Sequence, residues 1–419
     1  MRIAIVNWNR RRIAGTETYL SAVIPELHRL GHSLAFWHER DESTDYERIE
    51  LPVNSPSWCV AELGREISLA ALREWRPDLI YSHGLADPAL EAAAIRIAPS
   101  VFFAHNYHGT CISGAKTFKS PTIMPCSRRF GWQCLLHFYP HRCGGLNPIT
   151  MWDQYRLQSR RLEVLHCYKA IIVFSEHMQT EYARHGLKPY LAYDFSDKCR
   201  SDETNSVAMP DLDVGNLAVE GTLSAIEAKP YWQLVFLGRM EFLKGGSIFL
   251  DSLSRLNGHL ERPLHVVFAG DGPERAAWER KAEQLRRRFK HLTINFTGWL
   301  NGPKVSQLLA DSDLLVLPSL WPEPFGLAGI EAGRLGVPVA AFAVGGIPYW
   351  LTDGFNGHLA PGTPPTAAGL AEAIRKCLKD PVTHSKLKRG AIQTGARFNL
   401  QDHVRTLSKI FESVATGKI

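Results

Sequence analysis

Short apolar runs alternate with longer amphipathic stretches in the first part of the chain. Residues 1–6 predict a buried strand, and the stretch from Thr16 to Arg29, with Thr16 as N-cap and Gly31 beyond the end, predicts a helix. The same alternation predicts further strands at 33–39, 79–84, 100–106 and 170–176, and helices near 60–75 and 150–168. Strands that alternate with helices in this way predict a parallel sheet with helices on both faces.

The stretch 201–230 interrupts this pattern, because it is polar and punctuated by Gly and Pro without a clear period. We interpret it as an extended connection between two domains, at 1–200 and 231–398. Beyond it the alternation restarts, with predicted strands at 233–239, 264–272, 292–299, 314–320 and 338–343, and terminal helices near 383–397 and 400–415. The predicted fold class is α/β, with two doubly wound Rossmann-like domains that face each other across a cleft.

Composition narrows the class of protein. The 419 residues are 45% hydrophobic and 21% charged, which is typical of a globular chain, and the net charge is +6. The first residues do not resemble a signal peptide, and Pro and Gly interrupt the longest uncharged run, 335–352. We therefore expect a cytoplasmic protein, with peripheral contact at the inner face of the membrane as a further hypothesis, and no nucleic-acid partner. Neither a GxGxxG fingerprint after the first strand nor a Walker A motif is present, which argues against nicotinamide enzymes.

The segment WPEPFGLAGIEA, residues 321–332, carries the first candidate chemistry. Its two carboxylates, Glu323 and Glu331, flank a predicted helix start where the backbone N–H groups near Gly326 and Leu327 lack helical partners and favour an anion. A ligand that offers both hydroxyls and phosphates, such as a sugar nucleotide, would suit both features. The alternative interpretation is that Glu323 is a solvated loop residue and Glu331 a surface charge.

Two basic residues, Arg239 and Lys244, follow the strand at 233–239, in the sequence GRMEFLKGG. An arginine offers bidentate contacts to a phosphate and a lysine offers a point charge. These residues are therefore candidates for a pyrophosphate site, although two solvated charges would give the same local pattern.

Six segments in a fixed order establish a family resemblance over about residues 233–361. They are LVFLGRMEFLKGG, VVFAGDGPE, FTGWL, ADSDLLVLPS, EPFGLAGIEAGRLGVPV and VGGIPYWLTDGFNGHLAP. This part of the chain resembles the donor domain of the family-4 retaining glycosyltransferases of GT-B fold. The resemblance implies that Arg239 and Lys244 contact the donor pyrophosphate and that Glu331 binds the ribose. It also implies that Glu323 faces the transferred sugar beside the backbone from Phe325 through Gly326 to Leu327.

The first half resembles the same family more loosely. VFFAHN places His105 at a strand end, where the family carries a cleft histidine, although His83 and His108 compete for this role. AGTETYL resembles the glycine-rich first loop, in which only Gly15 matches. The resemblance also implies that a C-terminal helix, 399–419, packs back on the first domain.

The resemblance implies transfer of a sugar, with retention of configuration, from a nucleotide-diphosphate sugar to a hydroxyl acceptor. It implies no catalytic metal and no further cofactor, and we expect a UDP-sugar ahead of a GDP-sugar. The departing phosphate would act as base. The alternatives are a silent sugar-nucleotide or glycan-binding module and a sugar-nucleotide epimerase. The two glutamates could also form the acid and nucleophile of a glycosidase. The helix N-terminus beside them, which favours a phosphate, argues against this.

The insertion 107–149 is rich in cysteine, aromatic and basic residues, and three interpretations remain open. It could be an acceptor-binding loop with incidental thiols. It could be a segment held by a structural zinc ion on Cys111, Cys126, Cys134 and Cys143, although intervals of 14, 7 and 8 residues fit no standard zinc pattern. It could also be a patch that touches a membrane or a lipid-linked acceptor through the side chains of Arg128, Arg129, Phe130, Trp132, Phe138 and Tyr139.

Overall fold

The structure is a computed structural model that describes residues 1–13, 15–41, 47–193, 195, 229–256 and 260–419. The predicted connection at 201–230 lies outside the described residues except for its last two positions. The domain limits proposed on either side of it therefore stay a prediction.

The first half of the described chain contains nine strands and seven helices. The strands are β1 (Arg2–Asn9), β2 (Ser33–Arg40), β3 (Ser57–Cys59), β4 (Leu79–Ser82), β5 (Ser100–Ala104), β6 (Thr117–Phe118), β7 (Met124–Pro125), β8 (Ala170–Val173) and β9 (Pro189–Leu191). The helices are α1 (Gly15–Arg29), α2 (Val60–Leu63), α3 (Arg65–Glu74), α4 (Pro88–Ala94), α5 (Gln133–Phe138), α6 (Pro148–Leu165) and α7 (Glu176–Ala183). Seven strands form a parallel sheet in the order β3-β2-β1-β4-β5-β8-β9, while β6 and β7 pair separately as an antiparallel ribbon.

The second half of the described chain repeats this architecture with six strands and seven helices. The strands are β10 (Trp232–Leu237), β11 (Leu264–Ala269), β12 (Leu292–Gly298), β13 (Leu314–Leu317), β14 (Val339–Phe342) and β15 (Gly357–Ala360). The helices are α8 (Gly246–Leu256), α9 (Arg275–Arg288), α10 (Gly302–Ala310), α11 (Leu327–Arg334), α12 (Ala367–Cys377), α13 (Pro381–Ala396) and α14 (Leu400–Ala415). The parallel sheet has the order β12-β11-β10-β13-β14-β15. The predicted fold class, two doubly wound Rossmann-like domains, is thereby confirmed.

Each sheet has a switch point, where the order of the strands reverses direction. The chain first adds strands on one side of the first strand, β1 or β10, and then adds the later strands on its other side. In the first sheet β1 lies between β2 and β4, and in the second sheet β10 lies between β11 and β13. Loops at the carboxyl ends of strands on either side of a switch point diverge and leave a crevice, which is where ligands bind in open α/β sheets.

The last helix, α14, leaves the second domain and packs on the first, against α1, β4 and β5. Its buried face includes Leu407 and Phe411, and the Phe411 ring lies 4.8 Å from that of Tyr81 between centroids. His403 on the same face contacts the Tyr19 hydroxyl at 2.7 Å. The predicted return of the C-terminal helix is confirmed.

Some local predictions differ from the structure. α1 begins at Gly15, so Thr16 lies inside the first turn and the prediction of Thr16 as N-cap is wrong. Three short edge strands, β3, β9 and β15, were not predicted. The insertion also contains β6, β7 and α5, which have two to six residues each.

Candidate active site

A cleft of about 810 Å³ lies between the carboxyl ends of the two sheets. Both halves of the chain line it. The first half contributes Arg12, Gly15, Thr16, Tyr19, His105, Asn106 and Phe174, among others. The second half contributes Lys244, Trp299, Ser319, Trp321, Glu323, Phe325, Gly326, Leu327 and Glu331, among others. Gly15 and His105 therefore share one cleft with Glu323 and Gly326, as two facing domains require.

Glu323 is almost buried and is fixed through one of its carboxylate oxygens. Its Oε1 accepts hydrogen bonds from Lys244 Nζ at 2.7 Å, Ser319 Oγ at 2.6 Å and Trp321 Nε1 at 2.8 Å. Within the described residues, no hydrogen bond ends on Oε2. The side chain is thus held rigidly while one oxygen is left to accept a hydroxyl of a ligand.

Lys244 owes its position to a tight turn after β10. The following residue, Gly245, has φ 73°, and a Cβ there would lie 1.8 Å from the carbonyl oxygen of Pro318. Only glycine allows this approach, which brings the 242–244 turn against the loop that carries Glu323. The Lys244 ammonium also lies 5.3 Å from the centroid of the Trp321 ring. A positive charge is thereby fixed at the floor of the cleft.

The start of α11 presents backbone N–H groups to the cleft. Its N-cap residue, Gly326, has φ 90°, a conformation that disfavours any side chain. Trp350 Nε1 donates to the Phe325 carbonyl oxygen at 2.6 Å and holds the preceding loop in place. The helix begins at Leu327, where the sequence predicted a helix start, and unpaired N–H groups at such a start favour an anion. Glu331 lies about one turn further on, 7% exposed, and also lines the cleft.

Arg239 is the one predicted pyrophosphate ligand that the structure does not bring to the cleft. Its side chain is 67% exposed, its Nε lies 2.9 Å from Glu241 Oε1, and it is absent from the cleft lining. Because this ion pair is at the surface, the guanidinium can leave Glu241 and pair with a bound ligand at little cost in free energy.

His105 lies on the opposite wall, in a group of aromatic rings. Its Nε2 is 2.8 Å from His83 Nδ1, and its ring makes an edge contact with Tyr19 at 5.2 Å between centroids. Desolvation, with the neighbouring His403, lowers the pKa of His105 to about 3. Burial also lowers the pKa of His108 to about 3, and His108 is absent from the cleft lining. His105 is therefore a neutral hydrogen-bonding group at pH 7 and not a cation.

Two hydrogen bonds that were not predicted join the first domain to the loop that carries Glu323. The Tyr107 hydroxyl donates to the Pro322 carbonyl oxygen at 2.6 Å, and Ser175 Oγ donates to the Pro324 carbonyl oxygen at 2.5 Å. These two carbonyl groups flank Glu323, so the first domain holds the loop that carries this carboxylate in place by hydrogen bonds. Ser175 also caps α7, since its Oγ accepts from Met178 N at 3.3 Å.

The sequence contains two triplets with paired aspartates, DSD at 311–313 and DLD at 211–213, and the first lies away from the cleft. Asp313 immediately precedes β13 and accepts a bond from Gln233 N at 2.8 Å, at the amino end of the sheet. The second triplet, 211–213, lies outside the described residues.

The four cysteines of the insertion surround a separate small cavity. In the described part of the chain, no three or more His, Cys, Asp or Glu side chains are already arranged to hold a metal ion, and no helix is sufficiently long and apolar to span a membrane.

Comparison with known proteins gives two family matches that follow each other along the chain. Residues 13–191 match the model of Glycosyltransferase Family 4, and residues 224–394 match the model of Glycosyl transferases group 1. A D-inositol 3-phosphate glycosyltransferase of Catenulispora acidiphila is 32% identical over 189 residues, which are 44% of this chain and 44% of that protein. The match thus spans less than half the length of this curated relative.

Solved structures resemble the fold over nearly the whole chain. Anabaena HepE in complex with UDP and glucose aligns with a TM-score of 0.65 at 19% identity, covering 99% of this chain and 100% of HepE. A sucrose-phosphate synthase from Thermosynechococcus elongatus aligns with a TM-score of 0.67 at 16% identity, covering 99% of each chain. At these identities the likeness supports the GT-B fold.

Proposed function

Because the chain belongs to glycosyltransferase family 4 and has the GT-B fold, we propose that it transfers a sugar from a nucleotide-diphosphate sugar to a hydroxyl acceptor. The observation that carries the proposal is the fixed Lys244–Glu323 pair at the start of α11, inside a cleft that both domains line. A UDP-sugar is the preferred donor, since HepE is described with UDP and glucose.

The proposed transfer proceeds with retention of configuration. The acceptor oxygen forms a bond to the anomeric carbon on the face from which the diphosphate leaves, and the bond from that carbon to the β-phosphate oxygen breaks. The acceptor proton passes to the departing diphosphate. Lys244, Arg239 and the N–H groups at the start of α11 would stabilise the charge that develops on the diphosphate, so no metal is needed there.

The other cleft residues would each contact a different part of the donor. Glu323 Oε2 would accept a hydrogen bond from a hydroxyl of the sugar, and Glu331 would accept hydrogen bonds from the ribose. Neutral His105 would contact the sugar from the acceptor side. Gly15 leaves room there, because a Cβ built on it would meet none of the described residues within 4 Å apart from its neighbours in the chain. The diphosphate, the ribose and the sugar of the donor would thus each meet a group of suitable charge.

The donor proposal is tested by thermal unfolding with UDP-, GDP- and ADP-sugars, followed by nucleotide release with candidate acceptors. At a hundredfold excess over its dissociation constant, the true donor should add about 2.7 kcal/mol of stability. We expect release of UDP, an unchanged initial rate in excess EDTA, and a product whose anomeric configuration equals that of the donor.

The same experiment separates the alternatives. Stabilisation by a sugar nucleotide without turnover would favour a binding module, and conversion of the sugar without nucleotide release would favour an epimerase. A product of inverted configuration would contradict the retaining mechanism. Loss of the initial rate in EDTA would contradict metal independence.

The acceptor-side insertion suggests where a membrane could make contact. Six large apolar residues between 132 and 152 are exposed, and residues 107–152 contain five Lys and Arg but no Asp or Glu. The exposed residues are Trp132, Leu136, Tyr139, Leu146, Ile149 and Trp152. Phe130 and Phe138 are buried in a small core, so their predicted place in an exposed patch is wrong. Apolar side chains inside an acid-free basic segment suit the surface of an anionic bilayer.

Vesicle co-sedimentation tests this peripheral contact. The protein should bind vesicles that contain phosphatidylglycerol and bind pure phosphatidylcholine vesicles far less, with binding that weakens as salt rises. The double variant Trp132→Ser/Leu136→Ser should bind at least about tenfold more weakly, because it removes two large apolar side chains from the interface. Val382→Ser, at an equally exposed apolar position on α13, is the control. Equal binding by both variants would refute the assignment of this face.

A further inference from the structure

Four cysteines that are distant in sequence meet around one small cavity in the insertion. Cys111, Cys126, Cys134 and Cys143 all line a cavity of about 20 Å³. None of the four is in a disulfide. They come from four places: the loop after β5, the end of the β6–β7 ribbon, the first turn of α5 and the loop before α6. Incidental thiols would have no reason to converge in this way.

Few buried apolar groups hold the insertion together. Its ribbon has two residues in each strand and α5 has six residues. Its own core consists of Ile112, Phe130, Phe138 and Cys143. A segment with so few buried apolar groups usually needs a covalent or metal crosslink to keep one conformation.

The surroundings of the sulfur atoms suit thiolates that are shared by a cation. Lys116 N donates to Cys111 Sγ at 3.3 Å, and backbone N–H groups of Arg128 and Gly131 point to Cys126 and Cys134. Four thiolates around one small cavity would repel one another, and a cation between them would remove this repulsion.

The buried cation beside these thiols, Lys116, is already neutralised. The Lys116 ammonium is 2% exposed, and it lies 2.5 Å from the Glu181 carboxylate. Arg128 is at the surface, where water screens its charge. A buried cation that is already paired and an exposed, screened one do not balance four thiolates, whereas a bound ion between them would.

We propose that Cys111, Cys126, Cys134 and Cys143 bind one zinc ion that fixes the insertion. Four sulfur ligands without oxygen ligands select zinc over magnesium or calcium, and a closed tetrahedral set of four cysteines is typical of a structural site. Binding releases the four thiol protons to solvent. The side chains are not yet arranged around an ion, so binding must draw the sulfur atoms inward to about 2.3 Å from the metal. The central cavity, about the size of one water molecule, provides the space.

The test measures metal content and thiol reactivity on the full-length protein. Protein purified without a metal-affinity step should contain about one zinc per chain by elemental analysis. Titration with an organomercurial should release this zinc as four thiols react, which does not require that any variant folds. Metal-free protein with four freely reactive thiols would overturn the proposal, and so would iron in place of zinc.

Variants assign the ligands. Cys126→Ser/Cys134→Ser should lose the zinc and unfold at a temperature at least about 5 °C lower. His137→Ala should keep it, although His137 lines the same cavity, because four thiolates complete the coordination. Cys167→Ser, at an exposed thiol outside the insertion, should also keep it. Zinc retained by the double cysteine variant would overturn the assignment.

Discussion

Replacing Lys244 by methionine is expected to lower kcat/KM for sugar transfer by about 100- to 1000-fold. The ammonium is the fixed positive charge of the cleft, 2.7 Å from Glu323, and it would stabilise the departing diphosphate in the transition state. Methionine keeps the length of the side chain and removes the charge. Initial rates of UDP release over a range of donor concentrations measure the effect.

Lys281→Met is a matched control for this substitution. The Lys281 side chain is 29% exposed, against 30% for Lys244, and it also pairs with a carboxylate, Asp251, at 2.6 Å. It does not line the cleft. We expect near-normal kinetics from the control, and equal losses in both variants would show that the effect of Lys244→Met is on folding.

Arg239 provides a comparison, because it is predicted to share the diphosphate but faces Glu241 in the structure. Arg239→Ala should weaken donor binding by about 1.5–3 kcal/mol, provided that the guanidinium turns into the cleft when the donor binds. Unchanged donor affinity in Arg239→Ala, beside a large loss in Lys244→Met, would remove Arg239 from the site and leave Lys244 in it.

Glu323→Gln is expected to lower kcat by about 100-fold or more while changing the donor KM little. The carboxylate is held by three donors on Oε1, so its other oxygen has a fixed position against the sugar. Glutamine preserves the volume but places a neutral group beside Lys244. Glu331→Gln should have the opposite profile, with a raised KM and a smaller change in kcat, since a ribose contact is made equally in ground and transition states.

A milder variant tests whether the loss of kcat comes from the position of the Glu323 carboxylate and not from a less stable fold. Ser319→Ala removes one of the three bonds to Glu323 and leaves those from Lys244 and Trp321. Its kcat should therefore fall less than that of Glu323→Gln, at an unchanged unfolding temperature. If the two glutamate variants gave the same kinetic profile, the division of roles between sugar and ribose would be wrong.

The sequence by itself determined the order and type of most elements. Continuous apolar runs such as 170–173 and 314–317 are strands because both faces of a parallel sheet are covered, so their side chains are buried whichever way they point. It also placed Glu323, Gly326 and Glu331 around one helix start, because these positions are neighbours in the chain. Such features depend on local propensity and spacing, which can be deduced without coordinates.

Only the tertiary structure decided which distant groups meet. Lys244 and Glu323 are 79 residues apart, yet they form a salt bridge, because β10 and β13 are neighbours in the sheet and the loops after them lie side by side. Four cysteines separated by irregular intervals share one cavity, although their spacing fits no standard pattern. Arg239 and Lys244, five residues apart, face different surroundings. The direction of a side chain and its distant contacts depend on how whole helices and strands pack on one another. The hydrophobic periodicity of the sequence does not determine that packing.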